Sequence, residues 1–263
     1  MVVCGIDVGA RTAKAVLMTD GQIAGHSVIR SGPGSAAAAL EAALATTTAL
    51  RREDIEFTVA TGYGRVVVHF AQRNVTEIAC NARGNHYFFP GVRTILDMGG
   101  QDCKAIRCDE TGKVATFLMN DKCAAGTGRA LEVMAALLQV PLEDLGRLAL
   151  EGSGRPEKIS STCVVFAKSE VLALTRQGVP IREILAGLCE GVAERVKGLL
   201  RVVGVEEEFV ISGGISKNIG VVRRIEDKLG VTSHICFEPQ IVGALGAALF
   251  ARAFLERQGS NGR

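Results

Sequence analysis

The chain has 263 residues, with 30 Lys+Arg against 28 Asp+Glu and a formal net charge of +2. That balance gives no electrostatic footprint for nucleic acid or an anionic membrane. Aromatics are only 5%, with no Trp, so no stacking platform for single strands is expected. Hydrophobic residues at 48% exclude global disorder.

No targeting or membrane segment is read. The start, Met1-Val2-Val3-Cys4-Gly5-Ile6-Asp7, lacks a basic region. The apolar run Ile241 to Leu255 is broken by Arg252 and is shorter than the roughly 20 residues that span a bilayer; it reads as a buried helix. A cytoplasmic location follows as the expectation. The eight cysteines, at 4, 80, 103, 108, 123, 163, 189 and 236, are then expected as thiols rather than disulfides. No CxxC pair exists, which excludes a zinc ribbon or a thioredoxin motif. Cys103 and Cys108 read as packed thiols on one strand.

In chain order, Val2–Ile6 reads as a strand, followed by a glycine turn and a strand over Ala13–Met18. Asp20-Gly21 marks a hairpin turn into Gln22–Ile29. Ser31-Gly32-Pro33-Gly34 breaks the chain, and Ser35 is placed to cap an Ala-rich helix reaching about Leu50. Strands follow at Phe57–Ala60 and Thr94–Met98, then helices at Gly128–Leu138, Thr162–Gln177 and Ile181–Val203. Phe209–Ser212 is a strand, Ile219–Leu229 a helix, Ile235–Phe237 a short strand, and a last helix starts near Gly243. This alternation predicts an α/β fold with mixed sheets.

An internal repeat sharpens that reading. Asp7-Val8-Gly9-Ala10-Arg11-Thr12-Ala13-Lys14-Ala15-Val16 aligns with Asp97-Met98-Gly99-Gly100-Gln101-Asp102-Cys103-Lys104-Ala105-Ile106, ninety residues on. Both copies sit at a strand–turn–strand unit. Duplication predicts two related domains facing each other across a cleft, residues 1–93 plus 241–263 and residues 94–240. A glycine turn lets backbone N–H groups approach phosphate, and a carboxylate at the strand end suits Mg²⁺ through bound water. Either turn alone could be an ordinary hairpin; the pair favours a polyphosphate clamp. A third element, Ser212-Gly213-Gly214-Ile215-Ser216-Lys217-Asn218, leaves room for adenine or ribose, with Ser216 or Asn218 as helix caps. Gly243-Ala244-Leu245-Gly246 opens the last helix with residues suited to close packing at a hinge.

On these motifs the sequence resembles the actin/Hsp70/hexokinase ATPase superfamily. The resemblance implies duplicated ribonuclease H-like domains, an interdomain nucleotide cleft and nucleotide-linked closure.

Two cysteines stand apart. Cys123 lies in Asn120-Asp121-Lys122-Cys123-Ala124-Ala125-Gly126-Thr127-Gly128-Arg129, and Cys163 in Ser160-Ser161-Thr162-Cys163-Val164-Val165-Phe166-Ala167. Each precedes an expected helix, whose N-terminal partial charge favours thiolate. Two thiolates cannot complete a four-thiolate cluster, but a twofold dimer supplies four. Spacing alone does not overturn the reading of two unrelated buried thiols.

These two segments, with Ala60-Thr61-Gly62-Tyr63-Gly64-Arg65 and the Asp97 turn, closely resemble the activators of 2-hydroxyacyl-CoA dehydratases. The broader family includes the ATPase subunits of benzoyl-CoA reductases. The resemblance implies a homodimer sharing one [4Fe–4S] cluster bound by Cys123 and Cys163 of each subunit. It implies ATP-driven transfer of a low-potential electron to an iron–sulfur acyl-CoA dehydratase or reductase component, with ferredoxin or flavodoxin as donor. Asp7 and Asp97 match the Mg·ATP site. Gly9, Ala10, Arg11, Thr12, Ala13, Lys14, Gly99, Gly100, Gln101, Gly213, Gly214, Lys217 and Gln240 fall where the family contacts nucleotide. Gln101 is the preferred γ-phosphate or water contact, with Asp102 the alternative base. Arg11 departs from the small Ser/Thr usual at its position. Competing expectations are a sugar kinase of the same fold, with Asp121 as its base, and an actin-like filament former.

Overall fold

A computed structural model describes residues 1–120, 127–152, 156–159 and 163–261. Three strands open the chain: β1 (Val2–Val8), β2 (Thr12–Thr19) and β3 (Gln22–Arg30). Helix α1 (Ser35–Leu44), β4 (Phe57–Thr61), β5 (Arg73–Asn74) and α2 (Glu77–Phe88) follow. Next come β6 (Thr94–Met98), β7 (Cys103–Cys108) and β8 (Val114–Asn120). Helices α3 (Gly128–Leu138), α4 (Leu145–Leu150), α5 (Val164–Arg176) and α6 (Ile181–Val203) precede β9 (Phe209–Ser212). Helix α7 (Ile219–Leu229), β10 (Ser233–His234) and α8 (Val242–Asn261) complete the chain.

The chain divides into two compact units, the first comprising Met1–Val92, Cys108–Ala115 and Cys236–Arg263, the second Arg93–Arg107 and Thr116–Ile235. Each is built on a five-stranded mixed sheet. The strand orders, β3-β2-β1-β4-β5 and β8-β7-β6-β9-β10, are the same order repeated. In both sheets the central strand pairs antiparallel with the next strand in sequence and parallel with a later one. The duplication read from the Asp turns is therefore a duplication of topology.

In the first unit the β2–β3 hairpin turns on Asp20 and Gly21, both at positive φ, with Thr19 opposite Gln22. That is the backbone an Asp-Gly pair favours. Helix α8 packs on β1 through its small residues: a Cβ at Gly5 would strike the Ala244 carbonyl. One at Gly246 would strike the Cys80 carbonyl of α2. Ile241 through Ala248 are buried, so the late apolar run is a core helix. In the second unit a larger core forms around Leu96, Met98, Leu185, Leu188, Val192 and Ile211.

Three local expectations need correction. Ser35 does not cap α1; Gly34 holds that position at φ 73, and Ser35 is buried. The helix stops at Leu44 rather than near Leu50, because the Thr46–Thr48 run follows and Thr46 Oγ1 donates to the Ala43 carbonyl at 2.7 Å. The late short strand is Ser233–His234, paired with β9, not Ile235–Phe237. Phe237 instead meets His26 and Phe88 edge-on at 5.6 and 5.7 Å. Helix α2 carries no clear apolar period: Asn81, Gly84 and Asn85 lie on its buried face, which hides it from a pattern search. Among the described residues, no helix is long and apolar enough to cross a membrane.

Candidate functional site

The first turn lies between β1 and β2. Gly9 N–H donates to the Thr12 carbonyl at 3.0 Å, closing a tight hairpin with Ala10 at its exposed tip. Asp7 stands opposite Lys14 across this antiparallel pair, and opposite Thr61 across the parallel pair with β4. Lys14 Nζ donates to Asp7 Oδ2 at 3.0 Å. The other oxygen, Oδ1, is buried and has no hydrogen-bond partner. Gly62 follows Thr61 at φ 85, and a Cβ there would collide with Asp7 Oδ1. Gly243 at the head of α8 leaves space beside Oδ2 on the same grounds, with a Cβ–oxygen distance of only 3.1 Å. Ser31 supports the turn, its N–H on the Arg11 carbonyl at 3.0 Å and its hydroxyl on the Gly9 carbonyl at 2.6 Å.

The second turn repeats this plan. Gly99 N–H donates to the Asp102 carbonyl at 2.9 Å. Asp97 stands opposite Lys104 across β6–β7 and opposite Ser212 across β6–β9. Ser212 Oγ donates to Asp97 Oδ1 at 3.0 Å. Gly213 follows at φ 83, and its Cβ would strike the Met98 carbonyl and come within 3.0 Å of Asp97 Oδ1. Thus Thr61-Gly62 and Ser212-Gly213 are a second repeated pair, 151 residues apart, which the Asp-turn alignment did not bring out. The turn is supported by the start of α3: Gly128 N–H reaches the Gly99 carbonyl at 3.1 Å and Arg129 N–H the Gly100 carbonyl at 2.8 Å.

The two turns differ in charge. Lys14 faces one carboxylate and its side chain is 13% exposed. Lys104 faces two, Asp102 Oδ1 at 2.8 Å and Asp97 Oδ2 at 3.4 Å, and is 1% exposed. Asp102 Oδ2 is buried without a partner. Buried carboxylate oxygens left without donors suit a ligand that brings its own, such as the water shell of Mg²⁺. The glycine turns leave room for phosphate at both places, so the residues present fit Mg·ATP. Of the expected contacts, Gln101, Gly214 and Lys217 are exposed, and Gln240 is half-buried in the turn before α8. The caps expected after Gly214 divide: Asn218 Oδ1 accepts from Val221 N–H and caps α7, whereas Ser216 bonds back to the Gly213 carbonyl. Thr61, Gly62, Lys104, Ser212 and Gly243 lie in motifs read from the sequence, but their approach to the two aspartates was not foreseen, and Ser31 was read only as part of a chain break.

The cysteines separate by environment. Burial pushes the thiols of Cys4, Cys80, Cys103 and Cys189 up to about 12, the reverse of what a metal thiolate needs. Cys163 is half-buried and heads α5 in extended backbone, φ −152 and ψ 134. That place beside free helix N–H groups suits a thiolate ligand. Val165 and Phe166 next to it are 69% and 66% exposed. Cys123 and Asp121 lie outside the described residues. Among the described residues no group of three or more His, Cys, Asp or Glu side chains could hold a metal alone.

The chain is similar to known proteins over nearly its whole length. The family model "BadF/BadG/BcrA/BcrD ATPase family" matches residues 4–251. The activator of lactoyl-CoA dehydratase from Anaerotignum propionicum is 45% identical over 254 residues, covering 95% of this chain and 97% of that protein. The (R)-2-hydroxyglutaryl-CoA dehydratase activating ATPase of Acidaminococcus fermentans is 42% identical over 250 residues, 94% and 95% of the two chains. The solved structure of the 2-hydroxyisocaproyl-CoA dehydratase activator from Clostridium difficile, with bound ADPNP, superposes with a TM-score of 0.94 at 38% identity. It covers 99% of this chain and 98% of that one. A ROK family glucokinase from Streptomyces griseus, 16% identical with a TM-score of 0.58, covering 96% and 100%, shows the shared fold alone. The chain therefore belongs to the BadF/BadG/BcrA/BcrD ATPase family.

Proposed function

We propose that this protein is an ATP-hydrolysing activator of a 2-hydroxyacyl-CoA dehydratase. The observation that carries the reading is the doubled Asp–Lys turn, with an orphaned buried carboxylate oxygen in each, in a chain similar over nearly its whole length to such activators. The turns at Gly9–Lys14 and Gly99–Gln101 would receive the phosphates, and Asp7 and Asp97 would hold Mg²⁺ through water. Gly213, Gly214, Lys217 and Gln240 contact the nucleoside. The two halves of the ATPase fold are residues 1–93 plus 241–263 and residues 94–240.

Cys123 and Cys163 from each of two copies would hold one [4Fe–4S] cluster in a homodimer. When bound, that cluster supplies one-electron redox chemistry at low potential. The chain's own part is to bind the nucleotide and to keep Cys163 at the head of α5. An iron–sulfur dehydratase component accepts the electron, ferredoxin or flavodoxin donates it, and the cytoplasm is where these partners meet.

A role within a benzoyl-CoA reductase is the second reading, supported by 30% identity over 262 residues to one of the benzoyl-CoA reductase polypeptides of Thauera aromatica. The higher identity to the dehydratase activators favours the first. The deciding experiment is anaerobic purification followed by iron and sulfide analysis and an ATPase assay. Brown protein with about four irons per dimer, ATP hydrolysis and ATP-dependent activation of an added dehydratase component is the expected result. Colourless protein from iron-replete cells overturns the cluster assignment.

A further inference from the structure

The repeat changes charge near the lysine that both copies carry. Thr12 in the first turn is replaced by Asp102 in the second, so the second turn carries a carboxylate that the first lacks. Lys104 shifts toward that extra acid. It bonds Asp102 Oδ1 at 2.8 Å but Asp97 Oδ2 at only 3.4 Å, whereas Lys14 holds its single acid at 3.0 Å. Asp97 has donors at both oxygens, from Ser212 and Lys104. Asp102 has a donor at Oδ1 and none at the buried Oδ2. The Lys104 ammonium, 1% exposed, lies between the two acids. Gln101, the other candidate for orienting water, is exposed at the tip of the turn.

We propose that Lys104 is a positioning residue for nucleoside triphosphate hydrolysis: it ties Asp102 Oδ1 to the sheet, so that Asp102 Oδ2 accepts the proton of the attacking water. This rests on the ATPase reading above. The water oxygen bonds to the γ-phosphorus as the bond from γ-phosphorus to the bridging oxygen breaks. The electron pair leaves on the nucleoside diphosphate, and the water proton passes to Asp102 Oδ2 and then to solvent. A carboxylate with one oxygen fixed and one free is held in a single orientation, which an exposed glutamine at a turn tip has no such bond to enforce.

The test is a double-mutant cycle on the full chain with Asp102→Asn, Lys104→Met and the pair combined. Readouts are kcat and KM for ATP, and calorimetric affinity for a non-hydrolysable ATP analogue. Asp102→Asn is expected to lower kcat at least about 100-fold, the usual scale for a lost general base. Its analogue affinity should stay within about threefold. Lys104→Met should lower kcat at least about tenfold with KM within about threefold. If Lys104 acts through Asp102, the double variant hydrolyses ATP no more slowly than Asp102→Asn alone. Should Lys104→Met fail to fold, the double variant removes one charge of each sign and carries the same comparison. Full kcat in Asp102→Asn, or losses that multiply in the double variant, overturns the inference while leaving the ATPase reading intact. A wild-type chain that hydrolyses no ATP overturns both.

Discussion

Ser212 donates its hydroxyl hydrogen to Asp97 across the parallel pair of β6 and β9, a bond of 3.0 Å between residues 115 positions apart. Both side chains are buried. The Asp97 carboxylate is thereby presented at the strand end by the later half of its unit. Ser212→Ala leaves that oxygen short of a donor and should lower stability by about 1–3 kcal/mol. Thermal or urea unfolding measures this, and an unchanged midpoint would show that water replaces the hydroxyl.

Asp7→Asn and Asp97→Asn should each reduce ATP hydrolysis at least about tenfold while iron and sulfide content stays at the wild-type level. Each change removes the carboxylate charge that opposes Lys14 or Lys104 and that the proposed Mg²⁺ site relies on. Normal hydrolysis by both variants would mean that the turns do not handle phosphate.

Gly62→Ala and Gly213→Ala force a side chain into φ of 85 and 83 and onto the carboxylates of Asp7 and Asp97. A residue with a Cβ in such a conformation costs of order 1–3 kcal/mol. Both variants should melt lower and lose nucleotide affinity together. Retained affinity in both, read by calorimetry, would detach these glycines from the site.

Cys123→Ser or Cys163→Ser should abolish the cluster, whereas Ser variants of Cys4, Cys80, Cys103, Cys108, Cys189 and Cys236 should each keep it. Iron and sulfide analysis of all eight decides the matter. Full iron in both of the first two variants refutes the ligand assignment.

The buried thiols also set an alkaline limit. In Cys4, Cys80, Cys103 and Cys189 burial raises the folded value from the ordinary 9.0 to about 12. The unfolded chain therefore loses these protons first as pH rises above about 9. The folded state holds more protons than the unfolded one in that window, so stability is full below about pH 9 and falls toward about 12. Urea unfolding at stepped pH should show this decline, and the Cys4→Ala variant a shallower one. Alkylation of the native chain at about pH 8 should spare these four thiols.

The order of elements and the doubled turn were legible in the sequence because each rests on neighbours in the chain. The Asp-Gly hairpin at 20–21, the spans of α6, α7 and β9, and the repeat of Asp, Gly and Lys after ninety residues are local patterns. The last of these carried the nucleotide reading without any coordinates. What closes each site is not local. Thr61 and Gly62 reach Asp7, and Ser212 and Gly213 reach Asp97, only because β4 and β9 pair parallel to the central strands after long excursions of chain. The contrast between Lys14 and Lys104 was visible only in part. Both are lysines seven residues after an aspartate; the sequence shows the extra acid at Asp102, but only packing leaves one lysine partly exposed and buries the other between two carboxylates. Residue type sets which charges a chain owns; tertiary burial decides which of them water screens, and hence which can do chemistry.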